Sequence, residues 1–116
     1  NLIARIEEDG TIATPAAVAL SGDGLVRVPR HPVTGRELTG VAVPEWEAVR
    51  DLALRAAAAF APLRTVGWDI APVPGGAVLI EGNAWWGASA DPDGGLLPVR
   101  AALEHAIATT PEPARR

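Results

Sequence analysis

Short apolar runs alternate with turn residues along most of the chain, and one stretch switches to a helical period. Residues 1–6, NLIARI, predict a strand, and EEDG (7–10) a turn. TIATPAAVAL (11–20) predicts a second strand, which Pro15 confines to a sheet edge because proline has no N–H to give to a ladder. SGDG (21–24) is a turn. LVRVPRHP (25–32) alternates apolar and basic residues as a half-exposed strand does, and VTGRELTG (33–40) is a loop. In PEWEAVRDLALRAAAAFAP, Trp46, Val49, Leu52, Ala53, Ala56 and Phe60 fall on one helical stripe. Pro44, Glu45 and Glu47 suit its start, and Pro62 ends it. Residues 64–73 and 77–84 are two strands around Pro-Gly-Gly. Residues 88–95 are a loop, 96–109 a short helix, and PEPARR (111–116) a tail. The order β-β-β-α-β-β-α predicts an α+β domain over residues 1–110. It has an antiparallel β-sheet, with the long Ala-rich helix packed on one face.

The strands around Pro-Gly-Gly raise a question of charge. In VGWDIAPVPGGAVLIEGNAWWG (66–87) each apolar run carries one carboxylate, Asp69 and Glu81, and burying an ionised carboxylate is costly without compensation. A three-residue turn of Pro74, Gly75 and Gly76 sets Asp69 directly across from Glu81. Asn83, two residues on, shares that face, while Ile70 and Ile80 fall on the other, under the helix. A two-residue turn would break this register. Two opposed carboxylates repel each other. Spacing alone leaves two offsets open. One is a hard divalent cation such as Mg²⁺, which takes oxygen ligands, with Asn83 adding a neutral oxygen. The other is arginine pairing or protonation of one acid.

Composition narrows the field. At 116 residues, 48% hydrophobic and 21% charged, the chain suits one soluble domain. No run approaches the ~18–20 apolar residues of a membrane span, and NLIARIEEDG has neither the basic start nor the apolar stretch of a signal peptide. The reading is of a cytoplasmic protein. A net charge of −4 gives no basic footprint for nucleic acid. Cysteine is absent, which excludes disulfides, thiolate metal sites and cysteine nucleophiles. Lysine is absent too, so this chain offers no lysine to a phosphate. An apolar strand following an initial Asn suggests a piece of a longer polypeptide.

The pattern D-x(11)-E-x-N, on a hairpin after an apolar helix, resembles the C-terminal end of an ATP-grasp ligase. There the stretch reads roughly G-x-D, a short turn, then an apolar strand ending E-x-N-x-x-P-G. Here it is Gly67-Trp68-Asp69, the turn, then Val78 to Asn83, with Gly87 closing. HPVTG (31–35), then G-x-x-x-P-x-W (40–46), GWDIA and LIEGN make residues 1–88 similar to the sugar-transfer-associated branch, which is linked to cell-surface polysaccharide. The resemblance implies the C-terminal half of an ATP-grasp fold. It implies that Asp69, Glu81 and Asn83 match residues holding Mg²⁺ (or Mn²⁺) ions on the ATP phosphates. Glu81 would bridge, with Asp69 and Asn83 each on one ion. The implied activity is carboxylate activation through an acylphosphate, with ATP and a small carboxylate and amine as substrates. The phosphate-contacting lysines and adenine-binding hinge would lie in an N-terminal half of the same polypeptide, so this part alone would be inactive. One departure is Trp86, which stands where the family pattern has Pro. The rival class is a non-catalytic binding or scaffolding module that keeps the hairpin.

The remaining candidates carry two readings each. Arg30 and His31, in RHPVTG, either contact nucleotide phosphate or belong to a surface turn organised by Pro32 and Gly35. Arg27 and Arg30 differ in parity, so at most one faces a given side of a regular strand. Trp85 and Trp86 either stack on the acceptor substrate or serve core and interface; Trp46 and Trp68 read as core. Apolar surface meant for a missing half would favour a dimer. DPDGG (91–95) starts like a Ca²⁺ loop but has Ala102 where the loop needs Glu, so it reads as a turn. Ser21 and Ser89 have no histidine at an informative spacing for a nucleophile.

Overall fold

The computed structural model describes residues 2–13, 18–21, 24–86 and 97–109. The chain divides into two compact units, residues 1–86 and 87–116. The second unit contributes one described element, a helix over Leu97–Thr109 whose exposed face carries an Arg100–Glu104 ion pair at 2.7 Å. The loop 88–95 and the tail 111–116 lie outside the described residues.

In the first unit, β1 (Leu2–Ile3), β2 (Val18–Ser21) and β3 (Gly24–Arg27) form one antiparallel sheet in the order β1-β2-β3. The second strand is therefore central, not an edge; Pro15 precedes its start and lies outside the described residues. The first predicted strand is shorter than 1–6. After Ile3 the chain pairs locally instead, through an Ile6–Ile12 bridge and a turn in which the Glu7 N–H reaches the Thr11 carbonyl at 2.8 Å. The third strand likewise stops at Arg27, two residues before Pro29, and Arg30 rejoins by an isolated bridge to Glu37.

Helix α1 (Trp46–Ala59) follows the predicted stripe as far as Ala56; Phe60, the last position of that stripe, falls just past the helix and is exposed. Trp46, Val49, Leu52 and Ala53 are half-buried, Ala56 is buried, and Leu54, off the stripe, is exposed. Trp46 fixes the helix start: its indole N–H donates to the Glu8 carbonyl at 2.9 Å, and its ring lies over Gly10. Glu45 precedes the helix in the left-handed region (φ 52°), a strained position for a side chain with a Cβ. Its carboxylate accepts the Gly75 N–H at 3.4 Å, tying the helix start to the next turn.

That turn joins β4 (Gly67–Val73) to β5 (Gly76–Asn83), an antiparallel pair on which α1 packs. Trp68 lies over Gly82 and meets Phe60, at the end of α1, edge to face at 5.3 Å. Ile70 and Leu79 pair on the same side as Trp68. Trp46 and Trp68, read as core, are half-buried; among the described residues only Ala13 and Ala56 are buried hydrophobics.

Candidate functional site

The hairpin sets the site. Val73 pairs with Gly76, so the turn has two central residues, Pro74 and Gly75, and not the three expected from the sequence. The reason is chemical. Proline's fixed negative φ suits the first central position, and Gly75, at φ 81°, supplies the positive φ that a type II turn has at the second. A regular hairpin on that turn would set Asp69 against Ile80 and send Glu81 to the opposite face. The register instead shifts between Asp69 and Ile70: Ile70 pairs with Leu79, and Asp69 pairs with Glu81. Ile80 is the extra residue of a β-bulge. It is 67% exposed, so the expectation that it lies under the helix is corrected; Leu79 takes that place opposite Ile70. An unprimed turn twists against its strands, and a bulge adds twist. The bulge thus accommodates the proline turn and restores the facing carboxylates.

Gly67 pairs with Asn83 at the last rung, two residues from the acid pair. One face therefore carries Gly67, Asp69, Glu81 and Asn83. The Asn83 side-chain N–H donates to Glu81 Oε1 at 3.1 Å. Asp69 and Glu81 are both exposed. The ion pairs recorded among the described residues join Arg5 to Glu7, Arg30 to Glu37, Arg55 to Asp51 and Arg100 to Glu104, and none reaches the facing acids. The donor set is two carboxylates and an amide, all oxygen-bearing groups that suit a hard cation. Among the described residues no cluster of three or more His, Cys, Asp or Glu side chains forms a metal group.

Trp86 and Trp85 part company. Trp86 folds back over Gly67: a Cβ added there would sit 2.7 Å from the Trp86 Cβ. Trp85 is 98% exposed. Sequence reasoning missed the Trp86 contact, which arises from chain reversal at residues 84–85 and follows no local period.

Arg30 and His31 lie in a separate turn whose hydrogen bonds close on themselves. The His31 Nδ1 accepts the N–H groups of Val33 (3.3 Å) and Thr34 (3.2 Å). The His31 N–H donates to the Arg36 carbonyl, and the Gly35 N–H to the His31 carbonyl, each at 2.8 Å. Arg30 bridges Glu37 at 2.9 Å and donates to the Gly35 carbonyl at 3.2 Å. The ring nitrogen is thus an acceptor, which fixes the other nitrogen as the one that carries the proton in the neutral ring.

The family model described as sugar-transfer associated ATP-grasp matches residues 1–103. The chain belongs to that family. No match was found among curated proteins or among solved structures. No helix of the described residues is long and apolar enough to cross a membrane.

Proposed function

We propose that this chain is the metal-bearing part of an ATP-dependent carboxylate ligase, the C-terminal half of an ATP-grasp fold, serving polysaccharide synthesis. The reading is carried by one observation: the fold brings Asp69, Glu81 and Asn83 to one exposed face, with the two acids opposed across a bulged hairpin. Asp69 and Glu81 would hold Mg²⁺, with the Asn83 amide oxygen as the third protein ligand. Bound there, Mg²⁺ would offset charge on the ATP phosphates. The chain's own work is placement. The bulge aims both carboxylates to one side, and Trp68, Phe60 and α1 pack on the opposite face. In the reaction class, a substrate carboxylate oxygen attacks the γ-phosphorus and the bond to ADP breaks. An amine then attacks the acyl carbon, and phosphate leaves. Trp85, exposed beside Asn83, offers an aromatic face to the acceptor, and Arg30 and His31 offer N–H donors to phosphate only through atoms the turn leaves over.

The test is Mn²⁺ titration, read by electron paramagnetic resonance, of the polypeptide as the cell makes it. The expected result is a site that Mg²⁺ competes for, weakened on the order of a hundredfold by Asp69→Asn or Glu81→Gln, since each removes one anionic ligand. Binding identical in all three proteins would overturn the reading and favour a non-catalytic module that keeps the hairpin.

A further inference from the structure

We infer that Gly67 and Trp86 form a positioning pair that holds Asn83 beside Glu81. The inference deepens the proposed function, because it assigns a purpose to residues around that same face. Three observations meet at one rung. Gly67 is paired with Asn83, the final residue of β5. The Trp86 Cβ lies 2.7 Å from where a Cβ on Gly67 would stand, closer than real Cβ atoms come, and its Cγ, at 3.2 Å, is tight against the same point. The Asn83 carbonyl oxygen is 3.8 Å from the same point. The indole base therefore occupies the volume that any other residue at 67 would fill, on the face that carries the acids.

The last rung of a two-stranded sheet is where pairing frays first. Here the fraying end carries the amide that donates to Glu81. With Trp86 folded onto Gly67, the return at residues 84–86 closes over the rung, and opening it exposes more of the half-buried Trp86. Trp86 thus acts through Asn83: it is a positioning residue for the site, distinct from the fully exposed Trp85 beside it. The glycine matters by what it lacks. Alanine at 67 must push Trp86 away, and the closure goes with it.

The experiment is a double-mutant cycle on the polypeptide as the cell makes it, with Gly67→Ala, Trp86→Ala and both together. The readouts are amide hydrogen exchange at Gly67, Trp68, Gly82 and Asn83, and the NMR shift of the Asn83 side-chain NH₂. Each single change is expected to speed exchange on the order of tenfold and move the NH₂ signal away from its Glu81-bonded position, and the double change to do no more than either alone. Trp86→Ala adds no atoms, so it carries the test even where Gly67→Ala fails to fold. Multiplying effects, or unchanged exchange and NH₂ shift in Trp86→Ala, would overturn the pair. Mn²⁺ affinity, measured alongside, separates the two claims. The cycle can hold in a protein that binds no metal, in which case the pair stands and the proposed function falls.

Discussion

The turn at residues 30–37 and the hairpin at 67–83 treat their polar groups in opposite ways. In the turn, the fold consumes what the sequence offers. The His31 Nδ1 takes two backbone N–H groups, and Arg30 takes Glu37 and a carbonyl. In the hairpin, two acids face each other across a rung, and the side-chain hydrogen bond beside them runs from Asn83 to Glu81. Both regions are exposed, both carry charge, and both were candidates for phosphate or metal chemistry. The difference teaches where to look. A polar group satisfied inside its own turn has a structural reason to exist. The facing acids have no ion-pair partner among the described residues, and it is this face that the proposed function assigns to a cation.

The comparison breaks if the ring of His31 is needed for more than the turn. His31→Ala takes the ring acceptor from two exposed N–H groups, which water then satisfies, at a cost of about 0.5–1.5 kcal/mol in stability and with faster amide exchange at Val33 and Thr34. His31→Asn supplies a short side-chain oxygen of the kind that closes such turns, and should recover most of both. Thermal melts and exchange on the three proteins check this. ATP affinity that falls in His31→Asn as far as in His31→Ala, with the turn intact, would return His31 to the site.

A smaller effect sharpens the other side. If Asp69 and Glu81 repel, then in metal-free buffer Asp69→Asn or Glu81→Gln stabilises the fold, by roughly 0.2–1 kcal/mol. The gain should shrink as salt screens the repulsion. Chemical denaturation at low and high ionic strength measures it. A loss of stability would reveal a favourable partner for the acids and dissolve the contrast with the turn.

How much of this was legible depends on which rule each element obeys. The stripe from Trp46 to Ala56 was legible, because a helical period survives any tertiary context that buries one face. The pairing of Asp69 with Glu81 was legible for an incomplete reason. Eleven residues separate them, and the odd one sits in the strand at Ile80, where a three-residue turn was expected. Parity counts residues and cannot say where the extra one goes; the geometry of Pro74 decides that. The central place of β2 was not legible, because strand order depends on pairing between distant segments. Nor was the capping role of His31, since a histidine before proline gives no sign of which ring nitrogen the backbone will use. The contact of Trp86 with Gly67 was invisible for the same reason as the strand order, although the glycine before Trp68-Asp69 was in plain view.

The smallest expected effect lies in a third place, where a carboxylate is used by the fold as His31 is. Asp9 Oδ1 accepts the Thr11 hydroxyl at 2.6 Å and the Thr11 N–H at 2.9 Å. The hydroxyl bond first, and the backbone bond second, hold the Asp9 carboxyl below its ordinary range. A carboxyl that binds its proton less readily when folded contributes stability above its unfolded titration, and that contribution is lost as pH falls through the folded value. Carbon NMR of the Asp9 carboxyl should therefore show a midpoint below that of a random-coil aspartate. Thr11→Val removes the hydroxyl and keeps the backbone N–H, so it should raise the midpoint only part of the way. The group is exposed, so the effect on stability is slight. Its sign is what matters for the comparison: Asp9→Asn should cost stability at neutral pH, where Asp69→Asn should add it. Two aspartates on one chain would then answer the same substitution in opposite directions, because one has its donors within the fold and the other faces a second acid. An unchanged Asp9 midpoint in Thr11→Val would remove the hydrogen bond as the cause, and with it this half of the contrast.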